Sequence, residues 1–186
     1  MFTRIYRRYF ATVPSALASD LRADLWTGAP QPAPGSAAAG ETAVLLEQYK
    51  IYVEMADRVS ARRGTTNAFF LTLNTAIFTA IGFVWGRDAH PASSWILVFP
   101  LFVFVGQCLA WFWLVRSYGQ LNGGKYAVIG AMEERLPASP YWAAEWKALG
   151  YGKNPALYWP FTHLERWLPL FFAVTYLGGF IAVMVA

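Results

Sequence analysis

Charged residues are scarce in this chain of 186 residues: 14% are charged, whereas 56% are hydrophobic. A soluble globular domain has about 25% charged residues, so this composition is typical of a membrane protein instead. The single cysteine, Cys108, excludes an internal disulfide and a cysteine-based zinc site. Because it lies within an apolar span, we expect an inert thiol rather than a nucleophile.

Catalytic motifs are lacking as well. Neither histidine, His90 or His163, has a plausible nucleophile beside it in the sequence. There is no G-x-S-x-G, no Gly-rich phosphate loop followed by Lys-Ser or Lys-Thr, and no H-E-x-x-H. Glu133 and Glu134 are adjacent, so on a helix they would point about 100° apart, which does not support a paired-carboxylate mechanism. We therefore expect no enzymatic activity, no cofactor and no metal site.

Three long apolar spans are present, and we assign transmembrane helices to 64–86, 91–115 and 163–186. About 20 apolar residues suffice for a helix to cross a bilayer. Because only the short stretch GRDAH, whose glycine ends the first span, connects the first two spans, they should form a tight antiparallel hairpin. Thr162 and Glu165 form the capping-box pattern T-H-L-E before the third span.

The residues before the first span indicate a helix that enters the membrane without a turn. Glu54 and Arg58 are four residues apart, in the favourable order for a helical ion pair. We predict a cytoplasmic helix over 41–63 that is continuous with the first span. Residues 28–40 form a linker by their Pro, Gly and Ala content, and 1–27 form a basic amphipathic helix. That helix could lie at an anionic membrane surface, pack on a neighbouring subunit, or present arginines to a phosphate-bearing ligand.

The basic residues predict the orientation in the membrane. Eight Lys and Arg residues precede the first span and six lie between Val115 and Trp167, where the uncharged part of the third span begins, whereas the loop between the first two spans has only Arg87. By the positive-inside rule, the N-terminus and the segment 116–162 are cytoplasmic and the C-terminus is outside.

The segment 116–162 is too apolar for a disordered loop, and we expect it to form a helical cytoplasmic cap. Its first part should extend the second span as a helix that pauses at 122–124, Asn-Gly-Gly, and resumes until Pro137. Ser139 followed by Pro140 is typical of a helix start.

The short helix that begins there, PYWAAEWKAL, contains two tryptophans four residues apart, Trp142 and Trp146. Residues at this spacing share one face of a helix. We therefore expect both tryptophans to be presented together. Such a face could recruit a partner protein.

A polar face runs along the first span. Thr72, Thr75 and Thr79 lie at i, i+3 and i+7, and Asn67 and Asn74 form a second polar edge. Polar side chains are costly in lipid and usually face a bundle interior or a water-filled path. Pore lining by Thr72, Asn74, Thr75 and Thr79 would need several copies, because three spans cannot enclose a channel. Alternatively, the threonines bond their own backbone and the asparagines hold helices together, and both interpretations stay open.

A basic and aromatic cluster lies where the first two spans meet the cytoplasm. Its members are Lys50, Arg58, Arg62, Arg63, Arg116, Tyr118 and Lys125. Because the two spans form a hairpin, these residues should lie close together, and a symmetric oligomer would repeat them around an axis. Arginines bind phosphates and tyrosines stack on bases. Ordinary positive-inside flanking and contact with lipid headgroups would account for the same residues, so this alternative also stays open.

The stretches EQYKIYVEMADRVSARRGTTNAFFLTLNTA and RSYGQLNGGKYAVIGAMEERLPASPYWAAEW resemble a family of small bacterial integral membrane proteins. The pattern has Tyr-Lys, Glu-Met-Ala-Asp and Arg-Arg before an Asn-bearing span, then Arg-x-Tyr, Leu-Asn and Leu-Pro. The architecture is similar to that of SLATT-type membrane effectors, which accompany nucleotidyltransferases in bacterial anti-phage systems and are thought to form pores. A Hailong-type effector, a channel held closed by a short DNA oligomer, fits the tyrosines and arginines by analogy.

Together, the residues and the resemblance predict an all-α, homo-oligomeric protein of the bacterial inner membrane, with a tetramer as the working size. It would have three transmembrane helices, a helical cytoplasmic cap and membrane lipid around it. Its expected function is an anion-favouring channel in anti-phage defence, gated by a nucleotide or a short single-stranded nucleic acid, with a nucleotidyltransferase as functional partner. The alternative is a non-conducting anchor that recruits a cytoplasmic partner through its cap.

Overall fold

The computed structural model describes residues 21, 24–26, 36–85, 97–154, 156, 158 and 161–185. The helices that build the fold are α1 (Ser36–Trp85), α2 (Val98–Glu133), α3 (Trp146–Ala148) and α4 (Phe161–Val185). A π-helical segment, Pro140–Glu145, leads directly into α3, and a 3-10 turn, Gly150–Gly152, follows it. In the ranges described, the chain consists of helices and their connecting turns, without a strand.

Three of these helices are long and apolar enough to cross a membrane. The segments concerned are Gly40–Phe83 in α1, Val98–Glu133 in α2 and Leu164–Val185 in α4. The sequence prediction of an all-α protein with three membrane-spanning helices is therefore confirmed. The predicted ends at residues 86, 91–96 and 186 lie outside the described residues.

Helix α1 has 50 residues, and it begins earlier than the sequence analysis expected. Residues 36–40, assigned to the linker, form its first turns because the stretch Ser-Ala-Ala-Ala-Gly contains three residues of the best helix former. Residues 28–35 lie outside the described part of the chain, as do most of 1–27, the predicted N-terminal helix.

Helix α2 has no pause at 122–124, so that prediction was wrong. A glycine inside a helix costs about 1 kcal/mol relative to alanine, which long-range contacts can offset. Here the Asn122 side chain donates a 2.8 Å hydrogen bond to Ser60 Oγ on α1, and it thereby joins the two helices at this point. The helix then ends at Glu133 instead of continuing to Pro137.

The chain divides into two compact units. One comprises Met1–Val53 and Gly123–Ala148, and the other comprises Glu54–Asn122 and Leu149–Ala186. The buried core of the second unit consists of Cys108, Trp111, Val115, Phe172 and Tyr176.

Aromatic stacking connects α1 to this core. Phe70 stacks on Trp111 with ring centroids 5.5 Å apart, and Phe78 stacks on Tyr176 at 4.9 Å. Because lipid tails are as apolar as these side chains, burial in a membrane gives little hydrophobic stabilisation. Dispersion contacts and hydrogen bonds between helices must therefore hold the spanning part together.

Candidate functional site

Asn74 lies at the centre of a polar layer inside the second unit, and its side chain is 0% exposed. Its Oδ1 atom accepts hydrogen bonds from Tyr176 Oη at 2.7 Å and from Gln107 Nε2 at 3.2 Å. Cys108 Sγ lies 3.8 Å from the same oxygen, and Asn74 Nδ2 donates to the Phe70 carbonyl at 2.7 Å. One amide on α1 therefore binds side chains from both α2 and α4.

Asn67 forms a second layer one heptad earlier. Its Nδ2 atom donates to Glu165 Oε1 on α4 at 2.9 Å, and its Oδ1 atom accepts from Trp111 Nε1 on α2 at 2.8 Å. Arg63 Nε lies 3.3 Å from Glu165 Oε2, so the buried carboxylate also has a cation beside it. The Glu165 side chain thus contacts α1, whereas the sequence pattern assigned it to a capping box at the start of α4.

The two asparagines face inwards within one chain. Seven residues on an α-helix amount to almost two full turns, so Asn67 and Asn74 project in directions about 20° apart. Each of them binds a partner on α2 and a partner on α4. This is the arrangement expected if the asparagines hold the helices together, which was one of the two interpretations of the sequence. The structure therefore gives Asn74 a role inside the protomer.

The threonine face, Thr72, Thr75 and Thr79, is exposed on the outside of the chain. At about 100° per residue, it lies roughly 90–150° around α1 from the two asparagines. Thr75 Oγ1 donates to the Leu71 carbonyl at 2.9 Å, and Thr79 Oγ1 donates to the Thr75 carbonyl at 3.0 Å. These bonds reduce the cost of placing the Thr75 and Thr79 hydroxyls in a membrane, since both have an acceptor on their own helix.

Some residues of the predicted basic cluster are exposed, and the others are partly or fully buried. Arg62 is exposed, and so is Arg58, which forms the predicted ion pair with Glu54 at 2.7 Å. Lys50 is also exposed and pairs with Glu47 at 2.8 Å. Surface pairs of this kind contribute at most about 1 kcal/mol, so a phosphate could compete for these cations.

The remaining members are partly or fully buried. Arg116 is 7% exposed, and its guanidinium lies 5.6 Å from the Trp113 ring centroid. Lys125 Nζ lies 4.7 Å above the Tyr52 ring, and Tyr118 is half-buried. Arg63 is held beside Glu165. The partners of Arg63 and Lys125 could not be foreseen from the sequence, because Glu165 and Tyr52 are far away along the chain.

Glu133 is the main polar centre of the first unit, and it is 2% exposed. Its carboxylate accepts from Tyr49 Oη at 2.9 Å and from Ser139 Oγ at 2.7 Å. The backbone amides of Tyr141 and Trp142 donate to it at 3.1 and 3.0 Å. The carboxylate thus anchors the start of the π-helical segment and ties it to α1. From the sequence, Glu133 was a candidate only for a catalytic carboxylate, although its place shortly before a Ser-Pro helix start was a usable signal.

The predicted helix start at Ser139 is confirmed, because Ser139 is the N-cap and Pro140 follows it. The two tryptophans, however, have different surroundings. A Cβ atom at Gly130 would lie 2.6 Å from Trp142, so the indole packs directly on the glycine backbone. Trp146 is 41% exposed and is the tryptophan that remains presented at the surface.

Three spanning helices joined by buried polar layers define the chain as an integral membrane protein. Residues 46–185 match the model of the Octameric membrane protein family (8xMP), and the chain belongs to this family. No curated protein and no solved structure shows a significant match. The predictions of a small membrane protein family and of a homo-oligomer are confirmed at this level, although the family name gives eight copies where we expected four. Among the described residues, no group of three His, Cys, Asp or Glu side chains could hold a metal ion.

Proposed function

We propose that the protein is an ion channel of the bacterial inner membrane, formed by eight copies whose threonine faces line the conduction path. This proposal rests on the contrast between the two polar faces of α1, the asparagine face and the threonine face. The asparagines have partners on other helices, whereas Thr72, Thr75 and Thr79 are exposed on the outside of the chain. Polar groups in spanning helices usually face protein or water rather than lipid. A ring of copies would supply such surroundings, and the octamer in the family name supports it.

The gate would respond to a phosphate-bearing ligand such as a nucleotide or a short single-stranded nucleic acid. Arg58 and Arg62 support this part, because they are exposed and lie four residues apart on α1. In a ring of eight copies they would repeat around the axis and attract anions. The positive-inside rule places them on the cytoplasmic side, with the C-terminus outside. A setting in anti-phage defence, with a nucleotidyltransferase as functional partner, is supported by the resemblance to SLATT-type effectors.

Planar-bilayer recording of the purified oligomer tests the channel. The wild type should conduct, and the triple variant Thr72→Val/Thr75→Val/Thr79→Val should conduct less, because valine keeps the shape and removes the hydroxyl. Thr175→Val on α4 is the matched control, since Thr175 also donates to its own backbone, at the Phe171 carbonyl. Its current should equal that of the wild type. Intact oligomers without any conductance would contradict the channel.

Binding of a short single-stranded DNA oligomer, measured by fluorescence anisotropy, tests the ligand site. Arg58→Gln/Arg62→Gln should weaken binding and make it less sensitive to salt, because fewer phosphate contacts remain. Lys153→Gln removes one exposed positive charge elsewhere and should change affinity little. If the two variants lose the same amount of binding free energy for each positive charge removed, the DNA is attracted non-specifically and Arg58 and Arg62 form no ligand site.

The second candidate function is a non-conducting anchor that recruits a cytoplasmic partner. The exposed Trp146 indole favours it, because aromatic side chains often anchor protein interfaces. In that case Trp146→Ala would abolish activity in cells, and the triple valine variant would leave it intact. The channel proposal expects the opposite pattern.

A further inference from the structure

A cavity of about 320 Å³ lies among the three spanning helices of the second unit. It is lined by the end of α1, the start of α2 and the last turns of α4, with Phe78, Phe104 and Tyr176 on its inner wall. Ile81 and Gly179, which are exposed, also line it, so the cavity opens onto the outer surface of the bundle. In a membrane that surface meets lipid or a neighbouring copy.

Water is a poor occupant of this cavity. Of the described residues that line it, Thr175 and Tyr176 have a side-chain hydroxyl, and both hydroxyls already donate within the chain. Thr175 donates to the Phe171 carbonyl and Tyr176 to Asn74 Oδ1. A buried water needs two to four polar partners, which the described lining residues do not provide. An empty cavity would forfeit dispersion contacts along its whole wall, which favours an apolar occupant.

The shape of the cavity favours an elongated occupant, such as a lipid tail, over a single amino-acid side chain. Its lining on α4 extends from Thr175 to Val183, which at 1.5 Å per residue is about 12 Å along the helix axis. Its lining from Leu97, the residue before α2, to Phe104 covers a similar length. One aromatic ring from a neighbouring copy would fill only part of that length. A lipid tail runs parallel to the spanning helices and is present at high concentration beside the opening.

We propose that this cavity is a binding site for one acyl chain of a membrane lipid. The acyl chain enters between Ile81 and Gly179 and lies along α4. Its inner part contacts Phe78 and Tyr176, whose rings stack at 4.9 Å. Because the Tyr176 hydroxyl donates to Asn74, the occupied cavity supports the polar layer that joins the three spans. This site does not depend on whether the oligomer conducts.

Photolabelling in vesicles tests the site directly. The full-length protein is reconstituted with phosphatidylcholine that carries a diazirine on one acyl chain, and labelled residues are mapped by mass spectrometry. Tyr176 is 5% exposed, so tails reach it only through the cavity, whereas Phe102 is 81% exposed and serves as an internal control. The wild type should be labelled at both residues.

Two neighbouring glycines provide matched variants. Gly179 lines the cavity and Gly178 does not, and a Cβ atom at either would meet nothing within 4 Å. Gly179→Leu should fill the cavity and reduce the labelling of Tyr176 to background. In Gly178→Leu, Tyr176 should be labelled as strongly as in the wild type. If Gly179→Leu does not assemble, Val183→Phe fills the other end of the same cavity and decides the question.

Two results would overturn the proposal. The first is unchanged labelling of Tyr176, relative to Phe102, in the variant that fills the cavity. The second is labelling of Tyr176 only after the oligomer has been dissociated, which would show that a neighbouring copy occupies the cavity.

Discussion

The two polar faces of α1 differ in where their hydrogen bonds go. Asn67 and Asn74 bind side chains on α2 and α4, at sequence separations of up to 102 residues. Thr75 and Thr79 bind carbonyls of their own helix, four residues away, and remain exposed. The asparagine face is therefore used in folding the protomer.

The difference shows that one spanning helix can bind other helices of its own chain on one face and leave a second polar face exposed. An amide has donors and an acceptor that cannot all be satisfied by the adjacent helical backbone, so it needs partners elsewhere. A threonine hydroxyl can satisfy its donor locally and still present a polar surface. Such a surface can face either another copy or water without destabilising the isolated protomer.

Asn74→Leu should have the largest effect on stability. Tyr176 and Gln107 would both lose their acceptor, and an unsatisfied buried group costs about 1–3 kcal/mol, so we expect a loss of about 2–4 kcal/mol. The free energy of unfolding can be measured by titrating the purified protein with a denaturing detergent. Adding Tyr176→Phe removes one of the orphaned groups, so the double variant should lose less than the sum of the single losses.

Asn67→Leu should have an intermediate effect of about 1–2 kcal/mol in the same titration. Trp111 Nε1 would lose its acceptor, but Glu165 would keep Arg63 beside it. A larger loss for Asn67→Leu than for Asn74→Leu would reverse this ranking and make the Asn67 layer the main connection between the spans.

The valine variants of the threonine face should have the smallest effect on stability. Exposed substitutions usually change the free energy of unfolding by less than about 0.5 kcal/mol, and we expect each threonine to follow this rule. The measurement is the same detergent titration applied to Thr72→Val, Thr75→Val and Thr79→Val separately. A loss comparable to that of Asn67→Leu would mean that this face packs inside the protomer, and the contrast between the two faces would disappear.

The sequence predicted the three spans well because apolar length is a local property that a single chain displays directly. It also predicted the Glu54–Arg58 pair and the Ser139 helix start, whose partners lie within four residues. It could not show that Asn74 meets Tyr176, because that contact depends on how three helices are rotated about their axes. The depth of Arg116 depends on packing in the same way.

At the glycines of α2, the sequence predicted a feature, an interruption of the helix, that the structure does not have. Asn-Gly-Gly is a strong local turn signal, yet α2 continues through it to Glu133. The Asn122 bond to Ser60 and the packing of Trp142 on Gly130 occur only in the folded protein. Local propensity was outweighed there by contacts that no single window of sequence contains.

The central claim, that the threonine face meets water in the oligomer, is tested most directly by thiol accessibility of Thr75→Cys. The native Cys108 is 1% exposed, so the background reaction with a charged, water-soluble thiol reagent should be low. Val174→Cys, at an exposed apolar position of α4, serves as the control. We predict that the reagent modifies Thr75→Cys and changes the current through the oligomer, while Val174→Cys does not react. Reaction of Thr75→Cys only with a membrane-soluble reagent, as slowly as Val174→Cys, would contradict the claim.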